Sequence, residues 1–189
     1  MKTPRILIFG GSLRAESYNQ KLANIAAAGA REAGAEVTLI ALRDFRMPLF
    51  DEDLEAAEGM PEAARKLKAL FAANDGLIIA SPEYNSTITA ALKNAIDWVS
   101  RATSPDEAPL SVLSGKSAAI LAASPGGYGG SRSLAQLRPF LVNIGIFVLP
   151  DQVTVPKAHE AFDANGNLID PAQQAAVKAL AASLVDKLA

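Results

Sequence analysis

Few side chains in this sequence could carry out covalent or acid–base chemistry. Its 189 residues include no cysteine and a single histidine, His159. Thiolate nucleophiles, disulfides and cysteine-ligated metal centres are therefore excluded, and a Ser–His–Asp arrangement has almost no material to draw on. If the protein is an enzyme, we expect its reactive group to come from outside the chain.

Residues 10–19 combine glycines, short hydroxyl and amide side chains, and one arginine. The segment starts with two glycines, which allow a tight turn. Its candidate phosphate ligands are Ser12, Arg14, Ser17 and Asn19. Free N–H groups at a helix start favour a phosphate, and a guanidinium adds a charged fork. A simple helix cap with a solvated arginine is the ordinary alternative. The spacing matches neither a Walker loop nor a Gly-x-Gly-x-x-Gly fingerprint.

Two later segments are also rich in residues that shape a ligand-binding loop. In residues 81–85, Ser-Pro-Glu-Tyr-Asn, the proline restricts its neighbour to extended backbone and fixes the direction of the following N–H groups. Residues 124–130 place four glycines around Tyr128, which lets backbone approach a ligand closely. Each segment alone would equally suit a surface loop.

The surrounding sequence predicts the elements that bring these three segments together. Apolar runs typical of strands covered on both faces occupy residues 5–9, 36–42, 76–80, 117–123 and 145–149. Helix-length segments occupy residues 17–33, 60–74, 87–101, 131–143 and 171–188. The alternation predicts one α/β domain over residues 1–189, doubly wound with right-handed crossovers. The three segments directly follow strands one, three and four, at the strand ends where such sheets bind ligands.

Charge and hydropathy exclude several classes of partner. The chain has 18 Lys and Arg against 20 Asp and Glu, and a net charge of −2 gives no electrostatic attraction to nucleic acid or a membrane. No apolar stretch approaches the ~20 residues that cross a bilayer, and no signal-peptide pattern is present, so we expect a cytoplasmic protein. We interpret His159, the acidic segment 51–58 and the polar loops 102–109 and 156–167 as solvated surface.

The combination of motifs resembles the NADPH-dependent FMN reductase family of flavodoxin-like proteins, which includes chromate, quinone and azo-dye reductases. The matching pieces are Gly11-Ser12-Leu13-Arg14 with Ser17 and Asn19, Met47-Pro48-Leu49-Phe50-Asp51, Ser81-Pro82-Glu83-Tyr84-Asn85, Leu92-Lys93-Asn94-Ala95-Ile96-Asp97-Trp98, and the loop from Gly126 to Gly130. One departure is visible. The family commonly has Ser-Ile-Pro-Gly where this chain has Thr87-Ile88-Thr89-Ala90, which leaves the pose of the following helix open.

The resemblance implies a flavodoxin-like three-layer sandwich with a five-stranded parallel sheet in the order 2-1-3-4-5. It implies that the FMN phosphate is held by Ser12, Arg14, Ser17 and Asn19. The isoalloxazine would be lined by Pro82, Glu83, Tyr84 and Asn85 on one side and by Ser124, Gly126 and Gly127 on the other. Tyr128 would border the nicotinamide or the substrate.

The resemblance also implies an activity and an assembly. The activity is hydride transfer from NADPH, with NADH as an alternative donor, to FMN and then to a small acceptor such as a quinone, chromate, an azo compound or a flavin. The assembly is a homodimer or homotetramer with the site near the subunit interface. The helix that carries Asn94, Asp97 and Trp98 would then face a partner.

Two other functions are compatible with this class of fold. A non-enzymatic flavodoxin-like electron carrier would also bind FMN, but such carriers are strongly acidic, unlike this chain. A receiver-type signalling domain would need a phospho-accepting Asp at the end of the third strand, where this chain has Ala80-Ser81-Pro82.

Overall fold

The computed structural model describes residues 2–189, and these residues form one sheet with helices on both of its faces. All five strands are parallel, in the order β2-β1-β3-β4-β5. The strands are β1 Arg5–Gly10, β2 Glu36–Ala41, β3 Gly76–Ala80, β4 Ser117–Ala123 and β5 Phe147–Val155. The predicted flavodoxin-like three-layer sandwich and its strand order are confirmed.

Helices connect the strands and cover both faces of the sheet. They are α1 Tyr18–Glu32, α2 Glu52–Glu58, α3 Glu62–Ala73, α4 Ala90–Val99, α5 Ser131–Asn143, α6 Ala158–Ala161 and α7 Pro171–Leu188. One apolar core joins the sheet to α1 and α7, and the other joins it to α3, α4 and α5.

The central strands are apolar throughout because alternate side chains enter opposite cores. In β1, Ile6 and Ile8 pack with α1 and α7, whereas Leu7 and Phe9 pack with α3, α4 and α5. None of these four side chains is more than 1% exposed. The same arrangement places the carboxyl ends of β1, β3 and β4 side by side at one edge of the sheet.

β5 differs from the predicted strand 145–149, since it begins two residues later and continues to Val155. Its register with β4 shifts between Val148 and Gln152, where β5 carries two residues more than its partner. Arg138 of α5 donates to the Pro150 carbonyl in this bulge (3.2 Å). Proline and polar residues ended the predicted strand, but an edge strand tolerates both at a bulge.

The predicted surface loop 156–167 is only partly a loop. It contains α6, and Ala158 is buried in the core beside α1 and α7. The N–H of Ala158 donates to the Ser124 carbonyl (3.0 Å), and the N–H of Lys157 donates to the Gly126 carbonyl (3.3 Å). This segment therefore supports the loop that follows β4, a role that its polar composition did not reveal.

α4 begins three residues later than its predicted start because a tight turn precedes it. In that turn Tyr84 and Thr87 exchange two backbone hydrogen bonds (3.0 and 3.1 Å). Thr89 is the N-cap, and its Oγ1 accepts from the Leu92 N–H (3.1 Å) and donates to the Gly11 carbonyl (2.6 Å). Thr89 thus fixes the start of α4 at the position where the resembled family commonly has proline.

The acidic segment 51–58 forms α2, with Asp51 as its N-cap. Within the segment, Glu55 pairs with Arg101 at 2.9 Å. Across residues 2–189, no three His, Asp or Glu side chains are grouped as a metal site would require. In the same part of the chain, no helix has the length and apolar composition needed to cross a membrane.

Candidate functional site

The loops that follow β1, β3 and β4 start side by side at the carboxyl edge of the sheet. Strand-like pairing continues one residue past the strands, because the Gly11 N–H donates to the Ala80 carbonyl (2.8 Å) and the Ser81 N–H donates to the Leu121 carbonyl (2.8 Å). The loops then diverge and leave a narrow cleft between them, which we call the edge cleft.

Eight of the eleven predicted cofactor residues line the edge cleft. They are Ser12, Arg14, Ser17, Asn19, Pro82, Glu83, Tyr84 and Ser124. The other three, Asn85, Gly126 and Gly127, lie outside its lining, and the prediction missed Tyr18, Ala123 and Pro125, which belong to it. The cleft encloses about 60 Å³. A ligand much larger than a small anion must therefore extend over its open rim.

The start of α1 provides hydrogen-bond donors for this cleft. Ser17 is the N-cap, and its Oγ accepts from the Gln20 N–H (3.3 Å), which leaves the hydroxyl proton available. Within residues 2–189, the N–H groups of Tyr18 and Asn19 donate to no other group. Both lie at the positive end of the helix dipole. This is the donor set that a phosphate favours.

Arg14 is the cation that lines the edge cleft. Its backbone N–H donates to Ser12 Oγ (3.2 Å), which orders the turn before α1. Its side chain is exposed and forms no ion pair with any residue from 2 to 189. The guanidinium is therefore available to an anionic group from outside the chain.

Asn19 has a side chain that the fold already uses. Its Nδ2 donates to the Ala123 carbonyl (2.8 Å), and its Oδ1 accepts from the Ala123 N–H (2.9 Å). These bonds tie the start of α1 to the end of β4. The close approach of α1 also depends on Gly10, where a Cβ would lie 2.9 Å from the backbone nitrogen of Gln20. Asn19 can thus serve an anion through its backbone N–H, while its Oδ1 and one Nδ2 hydrogen are already bound to Ala123.

The loop after β3 contains a tight two-residue turn between Tyr84 and Thr87. Its central residues, Asn85 and Ser86, both have left-handed backbone (φ 51° and 68°). The ring of Tyr84 is 50% exposed. Among the described residues, nothing accepts from the N–H groups of Glu83 and Asn85. An aromatic ring and free N–H groups suit the flat heteroaromatic ligand that the sequence predicts here.

Glu83 lines the cleft, yet its carboxylate is bound to the start of α5. Only 6% of the side chain is exposed, and Arg132 Nη2 lies 2.5 Å from its Oε1. The Ser133 N–H donates to its Oε2 (3.3 Å). Sequence reasoning missed Arg132 and Ser133 because they lie 49 and 50 residues from Glu83. Only their position in the first turn of a helix after β4 could have indicated them.

The four glycines after β4 fall into two pairs. Gly129 and Gly130 have left-handed backbone, and a Cβ there would lie 2.8 Å from a backbone atom after β5 and 2.6 Å from a side chain of β4. The fold itself requires these two. A Cβ at Gly127 would meet nothing within 4 Å, and one at Gly126 only a hydroxyl at 3.8 Å. A ligand lying on this backbone would explain the second pair.

Tyr128 lies at the outer rim of the same loop. Its side chain is 68% exposed, and the Arg132 guanidinium lies 5.0 Å from its ring centroid. The loops after β3 and β4 therefore share Arg132 as a common contact.

A second, apolar cavity of about 290 Å³ adjoins the loop after β1. Its lining residues are Leu13, Leu42, Phe45, Arg46, Met47, Ala91, Asn94 and Ala95. Leu13 separates it from the edge cleft, because the preceding and following residues, Ser12 and Arg14, line the cleft. Leu13 is 48% exposed, and Leu49, two residues after the lining residue Met47, is 74% exposed.

α4 is the helix that the resemblance predicts to face a partner subunit, and it carries Asn94, Asp97 and Trp98. Trp98 is fully buried in its own chain, where its ring lies edge-on to Phe50 with centroids 5.0 Å apart. Its Nε1 and the Nδ2 of Asn94 both donate to the Pro48 carbonyl (2.8 and 2.9 Å). α4 thus uses these side chains to hold the loop that presents Leu49.

Comparisons with known proteins agree on one family. A family model described as NADPH-dependent FMN reductase matches residues 4–160. An NAD(P)H-dependent FMN reductase of Pseudomonas aeruginosa is 40% identical over 167 residues, covering 88% of this chain and 85% of that protein. An NADPH:quinone oxidoreductase of Arabidopsis thaliana is 32% identical over 189 residues, covering 95% and 89%. The flavoenzyme NAD(P)H:(acceptor) oxidoreductase of Paracoccus denitrificans has a similar structure, with a TM-score of 0.76, 26% identity, and coverage of 98% of this chain and 99% of that one.

Proposed function

The chain belongs to the NADPH-dependent FMN reductase family, and we propose that its edge cleft holds the cofactor and that a quinone-type compound is its electron acceptor. The protein is an FMN-dependent NAD(P)H oxidoreductase. Bound FMN supplies hydride transfer between NAD(P)H and an acceptor, chemistry that the side chains of this protein do not offer. The main support for placing FMN here is that eight predicted cofactor residues line one cleft.

The narrow part of the edge cleft is proposed to hold the FMN phosphate. Arg14 contributes a guanidinium that pairs with no residue from 2 to 189, and Ser12 and Ser17 contribute hydroxyl groups. The free N–H groups of Tyr18 and Asn19 complete the donor set. Charge, hydrogen-bond donors and a helix dipole then act on one anionic group, which is how phosphates are held at helix starts.

The rim formed by the loops after β3 and β4 is proposed to hold the isoalloxazine. Residues 82–85 offer the ring of Tyr84 and free backbone N–H groups, which stabilise negative charge on a ring system placed against them. Across the cleft, Gly126 and Gly127 let the ring approach backbone closely. Tyr128, at the outer rim, would border the nicotinamide or the acceptor.

A reconstitution experiment tests the function. Purified protein is supplied with FMN, its visible absorption spectrum is recorded, and NADPH and NADH oxidation are followed with and without a water-soluble quinone. We expect a yellow protein whose rate of NADPH oxidation rises with quinone concentration. Failure to take up FMN would overturn the placement of the cofactor.

The same assay addresses the other acceptors and the electron-carrier alternative. Chromate, an azo dye and free flavin replace the quinone in parallel reactions, and the highest kcat/KM identifies the preferred acceptor class. The relatives named as quinone oxidoreductases support the quinone. A yellow protein that fails to oxidise NADPH with any of these acceptors would instead be an electron carrier.

We also propose that the protein is a homodimer or a homotetramer, with the apolar cavity beside Leu13 at an interface. Leu13 lines this cavity, Leu49 follows its lining residue Met47 by two positions, and both expose apolar surface. Burying such surface against a second copy is favourable. Multi-angle light scattering would compare the wild type with Leu49→Asp, which we expect to shift toward monomer. Ile169→Asp is the matched control, since Ile169 is also exposed (63%) but adjoins α7. A monomeric wild type would contradict the proposal.

A further inference from the structure

We propose that Glu83, Arg132 and Ser133 form a positioning clamp, the Glu83 clamp, which holds the loop after β3 in the shape that FMN binding requires. The inference rests on the proposed placement of FMN in the edge cleft. Arg132 and Ser133 do not line that cleft, so they would act on the cofactor only through the loops they hold.

The carboxylate of Glu83 is the centre of this clamp. Its Oε1 accepts from Arg132 Nε (2.8 Å), lies 2.5 Å from Nη2 and is part of a side chain that is only 6% exposed. Its Oε2 accepts from the Ser133 N–H (3.3 Å). α5 has Gly130 at its N-cap and therefore no side-chain cap of its own. Glu83 supplies the acceptor and the negative charge that favour this helix start.

Ser133 fastens the same loop by a second route. It is fully buried, its Oγ donates to the Pro82 carbonyl (2.9 Å), and it lies 2.8 Å from Ser81 Oγ. Three successive loop residues, 81 to 83, are therefore bound to one turn of α5. The free N–H groups of the loop keep their direction because the residues before them cannot move independently of α5.

Arg132 extends the clamp to the loop after β4, at the outer rim of the cleft. Its guanidinium lies 5.0 Å from the ring centroid of Tyr128 in the loop after β4, within the range of a cation–π contact. One buried carboxylate thus couples the loops that would lie on both sides of the isoalloxazine. Without it, FMN binding would have to order both loops, and that ordering lowers affinity.

The direct test is FMN affinity, measured on apoprotein by quenching of FMN fluorescence. The variants are Glu83→Gln, which removes the ion pair, and Ser133→Ala, which removes the bond to the Pro82 carbonyl. We expect each to weaken FMN binding about tenfold, the effect of losing one charged or well-buried hydrogen bond. Glu32→Gln is the matched control, because Glu32 forms a 2.7 Å pair with Lys178 away from the site, and its affinity should match the wild type.

Further measurements separate a positioning role from a purely structural one. Thermal melts of the apoproteins show whether each variant is folded at the temperature of the titration. Folded variants with lower melting temperatures but wild-type FMN affinity would overturn the clamp. Arg132→Lys keeps the charge but not the planar fork, so we expect an intermediate affinity and a bound-FMN absorption spectrum closer to the wild type. Wild-type apoprotein that takes up no FMN would overturn the cofactor placement and the clamp together.

Discussion

At the scale of single residues, the edge cleft contains side chains that are free to contact a ligand and side chains that the fold already uses. The guanidinium of Arg14 has no ion pair within residues 2–189. The amide of Asn19 and the carboxylate of Glu83 are instead bound to β4 and α5. Substituting a free side chain should therefore change only FMN binding, whereas substituting a bound one should also change stability.

Arg14→Ala should weaken FMN binding without destabilising the protein. The substitution removes a charged hydrogen-bond donor that has no ion pair within residues 2–189. We therefore expect roughly ten- to hundredfold weaker binding and an unchanged melting temperature of the apoprotein. Fluorescence titration with FMN measures the first effect and a thermal melt the second. Arg31→Ala, at the opposite end of α1, is the control, and wild-type affinity in Arg14→Ala would remove this residue from the phosphate site.

Gly127→Ala should change mainly FMN affinity, whereas Gly130→Ala should change mainly stability. At Gly127 an added Cβ enters open space, so the apoprotein should keep its melting temperature while FMN binding weakens. At Gly130 the backbone is left-handed and the Cβ would lie 2.6 Å from a side-chain atom of β4. We expect a loss of about 1–3 kcal/mol in the free energy of unfolding there. Urea unfolding and FMN titration of both variants check the contrast, and equal FMN affinity in wild type and Gly127→Ala would contradict it.

At the scale of elements, three helices that follow strands begin at the same edge of the sheet. Two are capped by their own N-cap side chain and one by a side chain from another loop. α1 has Ser17, α4 has Thr89, and α5 receives Glu83 from another loop. Two of these caps also connect loops of the site, because Thr89 donates to the Gly11 carbonyl and Glu83 binds α5. The caps therefore contribute to both stability and the shape of the cleft.

Thr89→Ala should lower stability and FMN affinity together. Losing an N-cap costs about 0.5–2 kcal/mol, and here the Gly11 carbonyl also loses its side-chain partner. Asp170→Ala is the matched control, since Asp170 caps α7 by accepting from the Ala172 N–H (2.8 Å) and lies outside the lining of the cleft. We expect both variants to lose unfolding free energy, Thr89→Ala the more, and FMN binding to weaken only in Thr89→Ala. Parallel losses of FMN affinity would argue against a specific role for Thr89.

At the scale of the whole molecule, a group of ionic contacts around Asp75 lies at the edge of the sheet opposite the proposed binding groups. Burial alone would raise the pKa of Asp75, but hydrogen bonds from Arg5 and Lys2 outweigh it and hold this pKa well below its usual range. Nearby, burial lowers the pKa of Lys116, whose Nζ donates to the Asn74 carbonyl. These contacts fix the amino ends of the strands.

An ion pair between Lys68 of α3 and Glu107, in the connection from α4 to β4, should make stability depend on pH. A hydrogen bond from the buried Lys68, with others from Ser111 and Thr103, lowers the pKa of Glu107 from 4.5 to about 2. Because the folded-state pKa is the lower one, the stabilisation is complete above about pH 4.5 and is lost as the pH falls toward 2. Glu107→Gln should be less stable than the wild type at neutral pH, and the gap should close in acid.

Urea unfolding at several pH values measures this gap. Glu62→Gln is the control, because its pair with Lys66 is exposed and such pairs contribute little. A difference between wild type and Glu107→Gln that stays constant down to pH 2 would show that Glu107 does not titrate as its contacts require.

The sequence alone predicted the strands of the sheet and the residue types around the cleft. The resemblance to the family supplied the strand order. Strands buried on both faces are apolar throughout, and ligand-binding loops follow their carboxyl ends. Local composition was therefore sufficient to predict both the strands and these loops. The long β5 and α6 were missed because their residues are polar or interrupted by proline. Their positions depend on contacts with Arg138 and on support of the loop after β4.

Only the tertiary structure decided which of the predicted side chains remain free. Ser17 and Arg14 keep donors for a ligand, whereas Asn19 and Glu83 are bound to partners 104 and about 50 residues away. The sequence specifies that these polar groups exist at the right edge of the sheet. Which hydrogen bonds they make depends on distances between loops that are remote in the chain, and those distances are set by how the helices pack on the sheet.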